Sequence, residues 1–282
     1  MRKNQHTLMT GAAVLAATLF ASCVKDELHD TPHPDRGAVA VTADWGGRSG
    51  EAAVPQRYVL RIGGQEQEAG GGTSVFAQLL PPGKHTLAVY NRPEHITVTG
   101  NTASVSATPQ GGAAPQPGYL FASVQDISVR ADDTLRVTAA MKQLVRRLDL
   151  ELTATEGDYS RVRAATATLS GAASAVDIVT GGRSVPAHTT AAFTQEGNRF
   201  TLFFRLAGIV KAEGQTLTVD ITFSNGDTQR IASDLTDKLS DFNGGTEPLR
   251  LTGNLLLPLE AGAEGASITG WRETDSGSVE AN

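Results

Sequence analysis

The chain has 282 residues and a single cysteine, with 30 acidic against 24 basic side chains, for a formal net charge of −6. An acidic chain without a basic stripe excludes nucleic acid as a partner, because a polyphosphate needs a positive footprint. Thirty glycines and twelve prolines point to turns and strands rather than long helices. Stability must come from core burial and sheet hydrogen bonds, since one cysteine forms no internal disulfide.

The chain opens on Met1-Arg2-Lys3, and residues 8–20 are almost continuously apolar before Ala21-Ser22-Cys23. As a helix that run rises about 20 Å, short of the roughly 30 Å bilayer core. A basic start, a short apolar stretch and small residues at the exit fit a processed secretory signal. The layout is that of a bacterial lipoprotein signal, although Phe20 stands where Leu is commoner. Residues 1–22 are therefore expected to be removed, with Cys23 becoming the acylated first residue; two or three acyl chains anchor stably. The processed chain carries 24 − 2 = 22 basic and 30 acidic residues, a net of −8.

Residues 23–37 read as a flexible tether: charged, with Pro32 and Pro34, and without an apolar period. Val39, Val41, Ala43 and Trp45 then alternate with Ala40, Thr42 and Asp44, the period of a half-buried strand. Tyr58, Leu60 and Ile62 form a second set. Residues 69–73 are a glycine-rich turn, and Pro81-Pro82-Gly83 is a β-turn signal leading into residues 85–91. Short strands follow at Ile96/Val98 and Ala103/Val105, then a loop over residues 108–118, strands near 119–129, and clean alternation at Leu135, Val137, Ala139 and Met141.

The second half has the same texture. Leu148, Leu150 and Leu152 alternate with Asp149, Glu151 and Thr153; residues 162–169 form a small-residue strand; Phe200, Leu202, Phe204 and Leu206 share one face. Leu217, Val219, Ile221 and Phe223 run into Asn225-Gly226, a strong hairpin signal. Residues 234–242 are the one expected helix, with Leu235, Leu239 and Phe242 at helical spacing and Gly244-Gly245 as its stop. Leu249, Leu251, Leu255, Leu257 and residues 268–271 close the pattern. Many short strands with regular turn signals predict antiparallel β-sandwiches. We expect an all-β chain of two sandwich domains, residues 38–142 and 143–274, with a polar tail over 275–282.

Several segments together are similar to the FimB-type fimbrial family of Bacteroidetes. They are Gly118-Tyr119-Leu120-Phe121-Ala122, Asp132-Asp133-Thr134, residues 141–148 (Met-Lys-Gln-Leu-Val-Arg-Arg-Leu), residues 167–174 (Ala-Thr-Leu-Ser-Gly-Ala-Ala-Ser) with Thr180-Gly181, and the terminal Ile268 and Trp271. Leu79-Pro81-Pro82-Gly83 with Val89-Tyr90-Asn91, and Val41 with Asp44-Trp45, also fit. The marks are spread over most of the processed chain, and none is catalytic. Lys25-Asp26-Glu27 resembles the surface-export signal of lipoproteins of that group. The resemblance implies tandem transthyretin-like sandwiches and a lipid-anchored place at the base of a surface pilus on the outer membrane, where the anchor limits fibre length. It implies a fimbrial shaft subunit as partner, joined by β-strand addition, in which an unpaired sheet edge is satisfied by another chain. Shaft subunits of that family lose their first strand by cleavage after an arginine, whereas the anchor is thought to stay intact. Arg36 and Arg48 are the candidate processing sites: cutting at Arg36 precedes the first strand, and cutting at Arg48 would remove it.

Chemistry is otherwise sparse, and neither an enzyme nor a cofactor is expected. The six histidines form no zinc-ligand spacing with cysteine or carboxylates. Gly70-Gly71-Gly72-Thr73-Ser74 lacks the lysine of a phosphate loop. Asp132-Asp133 reads as a turn ahead of a strand rather than a calcium site. The alternatives are a surface glycan-binding lipoprotein, which would need exposed aromatics such as Trp45 and Trp271 in one groove; a processed shaft or tip subunit; and, last, a hydrolase using scattered acids.

Overall fold

The computed structural model describes residues 35–259 and 265–274. Cys23 and Lys25-Asp26-Glu27 lie outside the described residues, as does the tail over 275–282. In chain order the strands are β1 (Ala38–Asp44), β2 (Arg57–Ile62), β3 (Gln65–Gly70), β4 (Thr73–Val75), β5 (Gly83–Tyr90), β6 (Ile96–Thr99), β7 (Thr102–Val105), β8 (Phe121–Val129), β9 (Thr134–Ala140) and β10 (Lys142–Gln143). The second half adds β11 (Arg146–Glu156), β12 (Val162–Asp177), β13 (Arg183–Ala192), β14 (Thr194–Glu196), β15 (Arg199–Leu206), β16 (Thr216–Phe223), β17 (Thr228–Asp234), β18 (Leu249–Leu256) and β19 (Ser267–Glu273). The expected all-β class is what the chain adopts.

In the N-terminal half a sheet of order β4-β1-β9 faces one of order β10-β8-β5-β2-β3. The alternating residues meet between them: Val39, Val41 and Ala43 from β1, Tyr58, Leu60 and Ile62 from β2, Leu87 and Val89 from β5, and Phe121, Ile127 and Val129 from β8. In the C-terminal half β14-β15-β11-β18-β19 faces the β17-β16-β12 part of a second sheet. Leu148, Leu150 and Leu152 oppose Leu217, Val219 and Ile221 across that core, with Phe200 and Phe204 filling its width.

Two expectations need correction. The sandwiches are not purely antiparallel, because β1 runs parallel to β9 and β11 runs parallel to β18. β1 is flanked by β9, the last strand of its sheet, and β11 by β18, the last but one of its own, long-range pairings that alternation cannot reveal. Nor is there a helix over 234–242. The Asp234 carboxylate accepts from the Thr236 amide (2.9 Å) and hydroxyl (2.6 Å), which closes a local turn. The chain then makes one helical turn, Leu239 N–H to the Leu235 carbonyl at 2.9 Å, and ends in a 3-10 turn at Phe242–Gly244. Asn243 stops propagation by clamping Ile209, accepting from its amide (2.8 Å) and donating to its carbonyl (2.9 Å). So short a segment has no intrinsic helix stability and follows its tertiary contacts. Its apolar residues still go where the spacing sent them: Leu235, Leu239 and Phe242 are buried in the C-terminal core.

The two halves share a sheet. The β6–β7 hairpin leaves the N-terminal half and joins the sheet of β12, pairing Ser104 with Ala175 and Thr102 with Asp177. Along one edge β12 pairs with β13 from Thr166 to Val176. Along the other it meets β16 over residues 162–169, then Ile209 opposite Ala172, then β7. The register shifts between Leu169 and Ala172, where Gly171 takes a positive φ of 70°, the bulge that lets one strand change partners. A third apolar cluster fills the seam, with Val59, Ala88, Tyr90 and Leu120 on one side and Val145, Val176, Ile178 and Ala207 on the other.

Phe204→Ala should cost about 3–5 kcal/mol, because a fully buried aromatic leaves both lost transfer energy and a cavity; thermal unfolding checks this. A second expectation concerns acid. The Asp177 carboxylate accepts from the Thr180 and Val179 amides at 2.7 and 2.9 Å, and these bonds, the one from Thr180 first, hold its pKa below the usual value. Its contribution to the β12–β13 turn is therefore complete above the ordinary Asp pKa of about 3.9 and is lost as pH falls through the depressed one. An NMR titration of the Thr180 amide should show a midpoint below 3.9; a midpoint at or above it would contradict the turn.

Candidate functional site: the first strand and its clamp

Strand β1 is the centre of a three-stranded sheet, antiparallel to β4 and parallel to β9 over all seven of its residues. Val39 and Val41 are 0% exposed. Excising β1 would leave two unpaired strand edges and an apolar slot where these side chains sat.

The two candidate processing arginines flank this strand, and each peptide bond is held. The Arg36 carbonyl accepts the Asp132 amide (3.1 Å), and the Gly37 amide donates to the Leu80 carbonyl (2.9 Å). Gly37 must be glycine here, because a Cβ would stand 2.1 Å from the Arg130 carbonyl. Arg48 lies in the turn after β1, its guanidinium donating to the carbonyls of Ala52 (3.1 Å) and Trp45 (3.3 Å). Ser49 is 0% exposed and its amide donates to Gln143 Oε1 at 2.8 Å. The Gly50 amide reaches Glu247 Oε1 at 3.2 Å, so the turn following β1 is fastened to the C-terminal half.

Glu51 completes the clamp. Its carboxylate accepts from the Tyr119 hydroxyl and from Arg147 Nη1 (3.1 Å), while Arg147 Nε donates to Asp149 at 2.6 Å. Arg147 lies over the Phe203 ring at 4.4 Å, and Arg205 lies over Tyr119 at 5.5 Å. Burial alone would lower the Arg147 pKa, but its carboxylate partners outweigh it and the net direction is up. Tyr119 is pushed well above the ordinary phenol value, by burial first and by Glu51 second. Both groups thus keep their pairing charge state over any physiological pH. Arg147-Leu148 was read from the sequence only as part of a family segment, and Glu51 was not singled out; residues nearly a hundred positions apart give no local signal.

The other candidates fall elsewhere. Trp45 packs edge-on against Tyr58 (5.9 Å) and Phe121 (5.5 Å), and Trp271 packs on the C-terminal core, so they share no groove. The outer face of β11, β15 and β18 carries Arg147, Arg199, Phe203 and Arg250 in one shallow groove. Arg199 is paired there with Glu151 (2.7 Å), and Arg147 lies over one face of the Phe203 ring. Asp133 caps the Thr134 amide at 2.7 Å, a turn role. Among the described residues no group of three or more His, Cys, Asp or Glu could hold a metal ion, and no helix is long and apolar enough to cross a membrane.

Paired β-sandwiches fastened around the first strand are the class of protein that the fold defines. The family model of the fimbrillin-A associated anchor proteins Mfa1 and Mfa2 matches residues 57–277, and the chain belongs to that family. No curated protein matches the sequence. Among solved structures, the fimbrial anchor protein Mfa2 from Porphyromonas gingivalis aligns with a TM-score of 0.57 at 12% identity, covering 84% of this chain and 97% of that one. An adhesin candidate from Bacteroides ovatus aligns with a TM-score of 0.55 at 18% identity, covering 81% and 91%. A candidate polysaccharide-binding protein from Bacteroides thetaiotaomicron gives 0.55 at 9%, covering 86% and 98%. At these identities the solved structures share the fold. The fimbrial resemblance read from the sequence agrees with the family match.

A doubly substituted Gln143→Ala, Glu51→Ala protein should be cut after Arg48 at least about tenfold faster by an arginine-specific protease than the parent, since it releases a bond that otherwise needs local unfolding. N-terminal sequencing of the fragments checks this, and equal rates would show that the clamp does not protect the turn.

Proposed function

We propose that this chain is a lipid-anchored fimbrial anchor, held in the outer membrane through Cys23 and retaining β1 while it carries a fibre. Membership of the anchor family supports a structural role at a surface fimbria. The observation that carries the uncut, anchoring form of that role is the double fastening of β1. The strand is central in its sheet, and while Arg48 itself is exposed, Ser49 on the other side of the bond is buried and its amide is held by Gln143. A shaft subunit would need that bond accessible and that strand removable. With β1 in place the apolar slot is filled, so this chain does not accept a strand there, and the shaft partner is engaged through another edge by strand addition. A subunit that presents no vacant slot is suited to ending a fibre, which is how an anchor would limit length. The sequence Lys25-Asp26-Glu27 supports export to the outer face.

The surface form should begin at Cys23. Cys23→Ala should abolish labelling by a fatty-acid probe and release the protein to the medium. Deleting the gene should shed or lengthen surface fibres. Fibres unchanged in length and attachment after deletion would sink the anchor reading.

A further inference from the structure

The strands of the N-terminal half run between two poles, and the pairing register says which turns lie at which. Asp44 pairs with Ala140, and Tyr90 with Ala122, at the end next to the seam. Ala38 pairs with Thr134, and Gly83 with Val129, at the opposite end. Residues 35–37, 76–83 and 130–133 therefore gather at the pole opposite Asp44 and Tyr90, while Gly63 and Gly64 lie beside Asn101 and Val179 of the shared sheet. At the other extreme of the molecule lie residues 157–161 and 224–227, past the ends of β11 and β16.

The chain enters the fold at the first of these poles and is fixed there. Gly37 exchanges two backbone bonds of 2.9 Å with Leu80, and Arg36 and Ala38 bond Asp132 and Asp133. Cys23 lies twelve residues before Asp35, so a lipid on it sits within about 43 Å of this pole even at full extension. The pole's outermost turn is apolar and exposed: Leu79 is 44% exposed, and Pro81 and Pro82 beside it are exposed. Lys84 and Arg130 flank it, both exposed and with no carboxylate partner among the described residues. Arg36 joins them, its Nη1 donating to the Leu79 carbonyl at 3.4 Å. Asp35, Asp132 and Asp133 balance these three charges, so net attraction to an anionic surface is small. The opposite pole also exposes apolar side chains, Tyr159 and Leu259, so exposure alone does not choose between the ends; the point of chain entry does.

We propose that the pole at residues 79–84 is a lipid-contact surface. Resting on the anchor reading, it seats the N-terminal half upright on the membrane, with Leu79, Pro81 and Pro82 at the headgroup level. Lys84, Arg36 and Arg130 reach sideways to lipid phosphates, as long basic chains do at an interface. The short link to Cys23 makes the contact intramolecular once the acyl chains are inserted, so weak apolar burial is sufficient and charge is not the main term.

The test uses the mature acylated protein on phosphatidylethanolamine/phosphatidylglycerol vesicles containing nitroxide-headgroup lipid. Acylation consumes the only native thiol, so Gln78→Cys, Val75→Cys, Val54→Cys and Asn225→Cys variants each accept one fluorophore. Gln78 and Val75 are exposed, which spares the core. The label at position 78 should be quenched at least about threefold more than those at 75, 54 and 225, should stay so in high salt, and should lose most of that excess with Leu79→Glu. Equal weak quenching at all four positions would overturn the proposal, with the body held off on its link. Equal quenching at 75 and 78 would overturn it in favour of a body lying on its side. Failure of the acylated protein to co-sediment with vesicles would overturn the lipid-anchor reading itself, and the proposal with it.

Discussion

A sixteen-residue strand must find backbone partners along both edges, and no single sandwich here is long enough to supply them. Most of the architecture follows from how β12 solves this. Its length, roughly 53 Å at strand rise, spans both halves of the molecule. One edge is met by β13 alone. The other is met in relay by β16, the segment around Ile209, and the β6–β7 hairpin lent by the N-terminal half. The bulge at Gly171 is the point of exchange, and Ser170 supports it by accepting the Thr216 amide at 2.9 Å. A chain whose halves were joined only by a linker would have relative motion as its default. Here a continuous hydrogen-bonded sheet crosses the junction.

The seam combines an apolar cluster with the Glu51–Arg147–Tyr119 network, and magnitudes decide their roles. Arg147 and Glu51 side chains are 33% and 27% exposed, so their ion pair belongs with the partly solvated ones worth about 0.2–1 kcal/mol. Each large apolar side chain fully buried at the seam contributes about 1.5–3 kcal/mol, and Tyr90, Leu120, Val145 and Val176 are all at 1% exposure or less. The apolar cluster therefore holds the halves together. The polar network fixes where the turn after β1 sits, because its bonds to Gln143, Glu247 and Arg147 are directional and reach three separate points.

Much of the fold was legible because burial on one face writes a period of two into the chain. Leu148, Leu150 and Leu152, or Leu217, Val219 and Ile221, could face only a core, and Asn225-Gly226 could hardly be other than a hairpin. What was not legible has one cause, contacts between residues distant in sequence. The parallel partners of β1 and β11 lie some hundred residues away. The hairpin at residues 96–105 has the same alternation whichever sheet it joins. Residues 234–242 show helical spacing because Leu235, Leu239 and Phe242 must reach the core, but Asn243 is claimed by Ile209 and the helix never forms. The candidate site divides in the same way. Arg36 and Arg48 were visible as arginines flanking a strand, whereas the bonds that fasten the turn after Arg48 run from the Ser49 and Gly50 amides to the distant Gln143 and Glu247.

The direction of β1 acquires a mechanical meaning in the proposed anchor. Its first residue lies at the pole where the chain enters, and the strand runs from there toward the seam. Tension on a fibre, opposed by a lipid at Cys23, pulls on Gly37 and Ala38 along the axis of β1 rather than across it. Withdrawing the strand then means sliding it past β4 and β9 together, so the ladder bonds to both neighbours must break at once instead of unzipping one by one. The parallel pairing with β9 suits this geometry, because β9 begins at the same pole and runs beside β1 over its whole length. At the far end of the strand the turn is fastened to Gln143, Glu247 and Arg147, so displacement of β1 would also strip the clamp from the C-terminal half. A central, parallel, doubly fastened first strand is thus the arrangement expected of a chain pulled by its N-terminus, and a protein that had to surrender that strand would not be built to resist such a pull.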